Sequence, residues 1–333
     1  MSTTRYIQHN GEEEANELLC SLIGHEFRAY RERWNQVTNL GVRTDFPQFL
    51  VLEQHYRCNL SCVHCVHGYD SLKEEHGYAS EMDDALFRKV IAEASEHQCP
   101  SLSMNSTNEP LMSRNVSSRI GHAAARGFID IMLNTNGLLM TERIAEELID
   151  SGLTRLMVSL DAFSEATYAR IRLGSNFQKV MINVERFLDL RARRNVKLPL
   201  LRVSMVRLSL NEHEVDAFVE YWRDRADYIA IQDFASPAPG RAEFDLMFSP
   251  SHAGLSDFRC PQPWERLIVQ GDGLVLPCCS QFARALAVGN AKTDSLQSIW
   301  LSSAMERLRD LHRRGRYQDD EVCRKCVSSW VCH

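Results

Sequence analysis

The sequence predicts an α/β protein: a partial (β/α)6 barrel of the TIM type, followed by a small cysteine-rich domain built from a hairpin and helices. Three observations predict it. From about residue 46, six apolar strand segments alternate with amphipathic helices. Cys58, Cys62 and Cys65 follow the first strand, at the edge where the functional groups of such barrels gather. Six of the eleven cysteines lie after residue 259, beyond the repeated units.

The first element is a helical extension, residues 1–45. Apolar residues recur at helical spacing among charged residues within 12–40, which predicts helix there. The strand predictions that follow are residues 49–53, 101–105, 129–134, 155–160, 201–207 and 228–232. Helices are predicted at 82–96, 114–126, 141–151, 176–194 and 212–225. Strands that alternate with helices imply a parallel sheet with right-handed crossovers.

The barrel is predicted to end near the segment Ala-Ser-Pro-Ala-Pro-Gly at residues 235–240, which breaks the strand–helix pattern. We therefore expect three parts: the helical extension at 1–45, the barrel at 46–238 and the cysteine-rich domain at 239–333. In the last part, two apolar segments flank Gly271-Asp272-Gly273, which predicts a hairpin.

Composition limits the classes of function. The 333 residues are 44% hydrophobic and 25% charged, as in soluble globular proteins. The net charge of -6 gives no electrostatic reason to expect a nucleic-acid partner. We find no secretory signal and no apolar run long enough to span a membrane, so we expect a cytoplasmic protein without a membrane partner. In a reducing compartment, eleven cysteines indicate metal or redox chemistry rather than disulfides.

Cys58, Cys62 and Cys65 could hold three irons of a cubane cluster and leave the fourth iron without a protein ligand. Thiolates also bind zinc, and His64 or His67 could complete a zinc site, so ligand type alone leaves both metals open. The pattern Cys-x-x-x-Cys-x-x-Cys after a first strand resembles the signature of the radical S-adenosylmethionine (SAM) superfamily. The resemblance covers about residues 48–235.

That resemblance implies two cofactors at the first site: SAM, and a [4Fe–4S] cluster whose open iron binds the amino and carboxylate groups of SAM. The reduced cluster would cleave SAM to a 5′-deoxyadenosyl radical, which removes a hydrogen atom from the substrate. An electron donor such as flavodoxin or ferredoxin is expected. His64 occupies the position where the family usually has an aromatic residue near the adenine.

Further segments resemble cofactor-binding motifs of the family. Thr107-Asn108-Glu109-Pro110 keeps the Glu-Pro of a Gly-Gly-Glu-Pro turn whose backbone meets the methionyl amino group, which makes Asn108 and Glu109 candidates. Thr135-Asn136-Gly137 and Ser159-Leu160-Asp161 resemble segments that follow the third strand and end the fourth. Asn136, Ser159 and Arg172 are therefore further candidate contacts, the last for the SAM carboxylate. The ordinary alternatives are a solvated acid at 109, a common turn at 136, a helix cap by Asp161 and a surface arginine at 172.

The hairpin would bring Cys260 and Cys278 together, and Cys323-Arg324-Lys325-Cys326 supplies a second pair of thiolates. From ligand chemistry alone, zinc and an iron–sulfur cluster both fit. The segment from Cys260 to Cys326 resembles the auxiliary-cluster domains called SPASM and twitch. This resemblance implies one auxiliary [4Fe–4S] cluster with Cys260, Cys278, Cys323 and Cys326 as ligands, and Cys332 as a possible replacement for one of them.

Two reactions use such a pair of clusters. In a dehydrogenase, an alcohol becomes a ketone and the auxiliary cluster accepts the electron. The minimal one-cluster domain resembles the domain found in such dehydrogenases. In an epimerase of a sugar or peptide, a thiol returns a hydrogen atom to the opposite face of the substrate. Cys279 is the candidate donor, ahead of Cys332, although packing is the ordinary role for Cys279. A third hypothesis is a binding protein that zinc stabilises at both sites.

We expect a small-molecule substrate, because residues 1–45 lack the winged-helix pattern that peptide-modifying relatives often carry. A carbohydrate or aminocyclitol suits the resemblance to sugar and aminocyclitol dehydrogenases. Glu53, Arg202, Arg207 and Asp233 lie near predicted strands and are candidate partners for hydroxyl or amino groups, with a structural role as the alternative.

Overall fold

The computed structural model describes residues 7–40, 42–249 and 258–331. Within these residues the strands form one ten-stranded sheet in the order β1-β7-β6-β5-β4-β3-β2-β8-β9-β10. The strands are β1 (Ile7–Asn10), β2 (Phe49–Glu53), β3 (Ser101–Ser103), β4 (Asp130–Thr135), β5 (Arg155–Ser159), β6 (Leu200–Arg207), β7 (Tyr228–Asp233), β8 (Arg266–Gln270), β9 (Leu274–Leu276) and β10 (Gly289–Asn290).

The helices cover the sheet and connect its strands. They are α1 (Glu12–Ile23), α2 (His25–Thr38), α3 (Asp70–His76), α4 (Asp84–Glu96), α5 (Val116–Ala124), α6 (Glu142–Asp150), α7 (Glu165–Ile171), α8 (Phe177–Arg193), α9 (Val215–Trp222), α10 (Ala242–Asp245), α11 (Gln262–Glu265), α12 (Leu296–Trp300), α13 (Ser303–Arg313) and α14 (Glu321–Ser328). None of the described helices is long and apolar enough to cross a membrane.

Strands β2 to β7 are parallel to one another, and the sheet is an unclosed partial barrel. This confirms the predicted α/β class and all six strand–helix units. Every residue of β2 is buried, because a parallel sheet is covered on both faces. The main core lies between these strands and the crossover helices and includes Leu50, Leu102, Ile131, Leu133, Leu156, Val158, Leu201 and Val203.

The N-terminal extension contains a strand that the sequence analysis missed. β1 pairs antiparallel with β7, with Ile7 opposite Gln232 and Asn10 opposite Ile229. A four-residue strand is too short for a periodic signal, and its position depends on the free edge that β7 offers. The helix predicted within 12–40 is two helices, which Gly24 separates with a φ of 97°.

The C-terminal hairpin joins the same sheet. β8 and β9 are antiparallel and connected through Gly271-Asp272-Gly273, as predicted. β8 also pairs in parallel with β2, with Phe49 opposite Arg266 and Glu53 opposite Gln270. The cysteine-rich segment therefore lies beside the first barrel strand. The domain boundary near residue 238 stays a prediction.

Candidate active site

The loop that leaves β2 carries Cys58, Cys62 and Cys65. It is fixed from outside by main-chain hydrogen bonds, one of which runs from the Ser61 N–H to the Leu173 carbonyl at 3.0 Å. Burial raises the pKa of the Cys58 thiol to about 11 and that of the Cys62 thiol to about 12. In this environment the neutral thiols are favoured, and a positively charged partner would stabilise their thiolate forms. The irons of a cluster supply that charge.

Arg172 lies beside this loop and is buried, so the alternative of a surface arginine is wrong. Its Nε and Nη2 donate to Asp161 Oδ2 at 2.9 and 2.6 Å. Asp161 also accepts from the Val206 N–H at 2.8 Å. It has a positive φ of 59° and does not cap α7, because Ser164 does so. The guanidinium charge of Arg172 favours the thiolate form of Cys62.

His64 and Asn108, two of the predicted cofactor contacts, have buried polar atoms that lack hydrogen-bond partners in the described part of the chain. For His64 this atom is Nδ1, while its Nε2 lies 3.4 Å from Asp161 Oδ2. For Asn108 both the amide oxygen and the amide nitrogen lack partners. A buried polar group without a partner costs roughly 1–3 kcal/mol. A polar cofactor such as SAM would satisfy these atoms.

Glu109 connects three loops of the site and is only 2% exposed, so the alternative of a solvated acid is wrong. Its Oε1 accepts from the Thr135 hydroxyl at 2.7 Å and from the Leu111 N–H at 3.0 Å. Its Oε2 accepts from the Asn136 N–H at 2.8 Å. Its own N–H donates to the Arg57 carbonyl at 3.0 Å. The Glu-Pro motif thus holds the loops after β2, β3 and β4 together.

Asn136 and Ser159 lie at the carboxyl ends of neighbouring strands, as expected. The Asn136 amide nitrogen donates to Asn59 Oδ1 at 2.9 Å, within the cysteine loop. The Ser159 hydroxyl donates to Asn134 Oδ1 at 3.2 Å. Both side chains are therefore positioned by the protein, and their contact with a cofactor stays a prediction.

The second group of thiols forms where the hairpin meets α14. Burial, followed by the neighbouring thiols, raises the pKa of Cys260 and Cys278 well above the ordinary value. Cys278 interacts electrostatically with both Cys323 and Cys326, and Cys260 interacts with Cys278 and Cys326. Folding thus brings the four predicted ligands together. Cys332 lies outside the described residues.

The cysteine side chains of both groups are free thiols and candidate ligands of a metal centre. Across the described ranges, no three Cys, His, Asp or Glu side chains converge as the ligands of a single metal ion would. Thiolates are the ligands of iron–sulfur clusters, whose irons lie apart from one another and bind separate thiolates. The donor sets at both sites therefore fit iron–sulfur clusters.

A cleft lies between the two groups of thiols. It holds about 380 Å³ of space that protein atoms do not fill, part of it open to solvent. One side is formed by residues near the first site, including Glu53, Tyr56 and Thr107, and the other by the segment Cys278–Gln281.

Cys279 lines this cleft and is exposed, whereas Cys278 beside it is half-buried. Gln262 fixes the position of Cys279 through two hydrogen bonds. The Gln262 amide nitrogen donates to the Cys279 sulfur at 3.0 Å, and its amide oxygen accepts from the Cys279 N–H at 2.6 Å. The thiol is therefore held at the wall of the cleft.

The radical SAM superfamily model matches residues 53–221, just over half of the chain. The chain belongs to the radical SAM superfamily. The model of the SPASM iron–sulfur cluster-binding domain matches residues 260–327. The cofactors of this radical SAM protein are SAM, the cluster that binds it and an auxiliary [4Fe–4S] cluster. This assignment excludes the zinc-stabilised binding protein.

The matches to curated relatives extend over about half of the chain's length. A probable GTP 3′,8-cyclase of Methanococcus maripaludis is 28% identical over 183 residues, which are 55% of this chain and 58% of the relative. A probable GTP 3′,8-cyclase of Methanocaldococcus jannaschii is 29% identical over 54% of this chain and 56% of the relative. This radical SAM chain spans about half the length of the curated relatives it matches.

The matches to solved structures cover more of the chain than the matches to curated relatives, but their sequence identity is lower. BtrN in complex with AdoMet and 2-DOIA has a TM-score of 0.53 at 17% identity, over 86% of this chain and 96% of BtrN. Native anSMEcpe with bound AdoMet has a TM-score of 0.61 at 16% identity, over 84% of this chain and 88% of anSMEcpe. Streptococcus suis SuiB bound to S-adenosylmethionine has a TM-score of 0.58 at 13% identity, over 90% and 76% of the two chains. These likenesses show the radical SAM fold.

The four candidate substrate partners are at different places in the radical SAM barrel. Glu53 lines the cleft. Arg207 and Asp233 end β6 and β7, and they form an ion pair with each other. Arg202 lies near the start of β6, opposite Tyr228, at the amino end of the sheet and away from the cleft. The position of Glu53 opposite Gln270 could not be found from local sequence, because the pairing of β2 with β8 creates it.

Proposed function

We propose that this radical SAM enzyme oxidises a secondary alcohol of a sugar or aminocyclitol to a ketone, with the auxiliary cluster as the electron acceptor. The observation that carries the proposal is the cleft between the two cysteine sites. A substrate there lies between Thr107, next to the Asn108-Glu109-Pro110 segment, and Cys278 of the auxiliary site. It would thus lie against the auxiliary site and beside the loops that lead to the first site.

When bound, the cofactors supply hydrogen-atom abstraction at one side of the cleft and electron uptake at the other. The protein holds them in place. Cys58, Cys62 and Cys65 are the ligands at the first site, while Glu109 fixes the loops around it. His76 lines the cleft, and its buried Nε2 lies 3.7 Å from Glu75 Oε1 and has no hydrogen-bond partner among the described residues. This nitrogen can accept the hydroxyl proton of the substrate.

The matched relatives' names include a GTP cyclase activity, which we do not carry over to this chain. The match covers 55% of this chain and 58% of the relative. The BtrN likeness extends over 86% of this chain, and the BtrN structure contains AdoMet and 2-DOIA, a bound small molecule. This supports a small-molecule substrate. We propose flavodoxin or ferredoxin as the electron donor.

A second function, epimerisation, is favoured by one observation. The Cys279 thiol is exposed, lines the cleft and is oriented by Gln262. A thiol in this position could return a hydrogen atom to a substrate radical. Because Cys278 lies next to it, the same substrate position would serve either reaction.

The two functions are separated by product analysis in heavy water. Anaerobically reconstituted enzyme is given SAM, a reductant and a panel of sugars and aminocyclitols. Oxidation yields 5′-deoxyadenosine and a product that has lost two hydrogen atoms, and it tolerates Cys279→Ala. Epimerisation yields a product of unchanged composition with one solvent deuterium, and it is lost in Cys279→Ala. The matched control is Cys20→Ala, which removes a half-buried thiol outside the cleft.

A further inference from the structure

Glu53 ends β2 at the wall of the cleft and is only 2% exposed. Its Oε1 accepts from the Thr107 N–H at 2.8 Å, and its Oε2 accepts from the Gln270 amide nitrogen at 2.9 Å. Both donors are uncharged. In the parts of the chain that the structure describes, Glu53 has no ion pair with a lysine, arginine or histidine. A buried carboxylate of this kind is ordinarily paired with a cation.

The two basic side chains that line the cleft do not serve as that cation. The Arg284 guanidinium donates to Asp272 Oδ2 at 2.9 Å and to the Gln270 amide oxygen. The second of these bonds turns the amide nitrogen of Gln270 toward Glu53. Burial lowers the pKa of His76, so its ring is neutral. The negative charge of Glu53 is thus left for a ligand to balance.

We propose that the substrate carries an ammonium group that pairs with Glu53, and hence that it is an amino sugar or aminocyclitol rather than a neutral sugar. This inference rests on the proposed function, because it places the substrate in the same cleft. Thr107 and Gln270 fix the carboxylate, and the hydroxyls of Thr107 and Tyr78 also interact with it. None of these donors carries a positive charge, which an ammonium group would bring.

The charge of the ammonium group is the reason to expect that an amine binds more tightly than the matching alcohol. Burial raises the pKa of Glu53, as expected for a carboxylate without a cationic neighbour. An ammonium group that enters the cleft offsets this cost with a charge-assisted hydrogen bond. A hydroxyl group at the same position donates a hydrogen bond but brings no charge. From the usual strength of hydrogen bonds to charged groups, we expect the amine to bind about 10-fold to 100-fold more tightly.

The test compares matched ligands on the holoenzyme, loaded with both clusters and S-adenosylhomocysteine so that no turnover occurs. The pairs are scyllo-inosamine with scyllo-inositol and glucosamine with glucose, and calorimetry gives the dissociation constants. Glu53→Gln keeps the size of the side chain and removes its charge. Glu214→Gln is the control, since it neutralises another buried carboxylate that binds Ser164 and Thr167 outside the cleft.

We expect the wild type and Glu214→Gln to prefer the amine of at least one pair by about tenfold or more, and Glu53→Gln to lose that preference. Equal affinity for both members in the wild type, no binding of either amine, or a preference that persists in Glu53→Gln overturns the inference. The wild-type comparison decides the question even where Glu53→Gln fails to fold. Because binding is measured without turnover, an unexpected reaction product would count against the proposed function and leave this result intact.

Discussion

Glu109 is the residue at which a substitution tests the site most directly. Its carboxylate accepts three hydrogen bonds, from the Thr135 hydroxyl and from the N–H groups of Leu111 and Asn136, at 2.7 to 3.0 Å. Glu109→Ala leaves those three buried donors without a partner. Each buried donor without a partner costs roughly 1–3 kcal/mol, and water that enters the site would offset part of this cost. The expected loss in the free energy of unfolding is about 3–6 kcal/mol.

The assay is anaerobic urea unfolding of the cluster-loaded protein, followed by tryptophan fluorescence. Midpoints are compared between variants, because a protein with bound cofactors does not unfold in a simple two-state manner. With a slope of about 3 kcal/mol per molar urea, the midpoint should fall by about 1–2 M. Glu109→Gln keeps one acceptor oxygen and should lose about half as much.

The control is Glu81→Ala, which removes an exposed loop acid in a surface pair with Arg57 at 2.8 Å. Surface pairs of this kind contribute about 0–1 kcal/mol, so its midpoint should hardly move. If Glu109→Ala unfolded at the wild-type midpoint, the carboxylate would not connect the three loops, and our account of the Glu-Pro motif would be refuted.

The reconstituted wild type should contain about eight irons, and a variant with Ala at all three cysteines of the first loop should contain about four. Mössbauer spectra and iron analysis count the irons. A wild type with about four irons and a variant with none would contradict an auxiliary cluster. Gly271→Ala should destabilise the protein by about 1–3 kcal/mol, because its Cβ would lie 2.8 Å from the main-chain oxygens of Gln54 and Ser80. Gly121→Ala, whose Cβ would have its nearest contact at 3.6 Å, should be neutral or stabilising; thermal unfolding of both glycine variants checks this. Burial raises the pKa of Glu53 from 4.5, so its contribution to stability is complete below that value and declines as the pH rises through the raised pKa. Glu53→Gln removes this decline, and its melting temperature relative to wild type should increase as the pH rises above 4.5, whereas a constant difference would contradict the assignment.

Much of the fold followed from local sequence, because each strand and helix of the barrel has its own periodicity. The six parallel strands and the hairpin are where the apolar patterns predict them. β1 was not found, since four residues that pair with the edge of β7 carry no pattern of their own. The cysteine spacing likewise identified the first group of thiols, because residues that are close in sequence are close in space. In the second group it identified two pairs, which only the folded chain brings together.

Residue roles were harder to predict than residue positions. The Thr107–Pro110 motif drew attention to Glu109, yet only the folded chain shows that its carboxylate connects loops after three strands. For Asp161 the sequence left a helix cap as the ordinary alternative, and instead its carboxylate binds Arg172. Both side chains are used in contacts between distant segments, which no local pattern encodes.

By itself, the sequence determined the class of fold and the superfamily and pointed to two sets of candidate cysteine ligands, because these depend on periodicity and on motif spacings. Only the tertiary structure decided that β8 lies beside β2. That pairing joins Glu53 to Gln270, 217 residues apart, and places the cleft between the two cysteine sites. The reason is physical: a strand pairs through backbone groups that all residues share, so its neighbour is selected by the packing of the whole sheet.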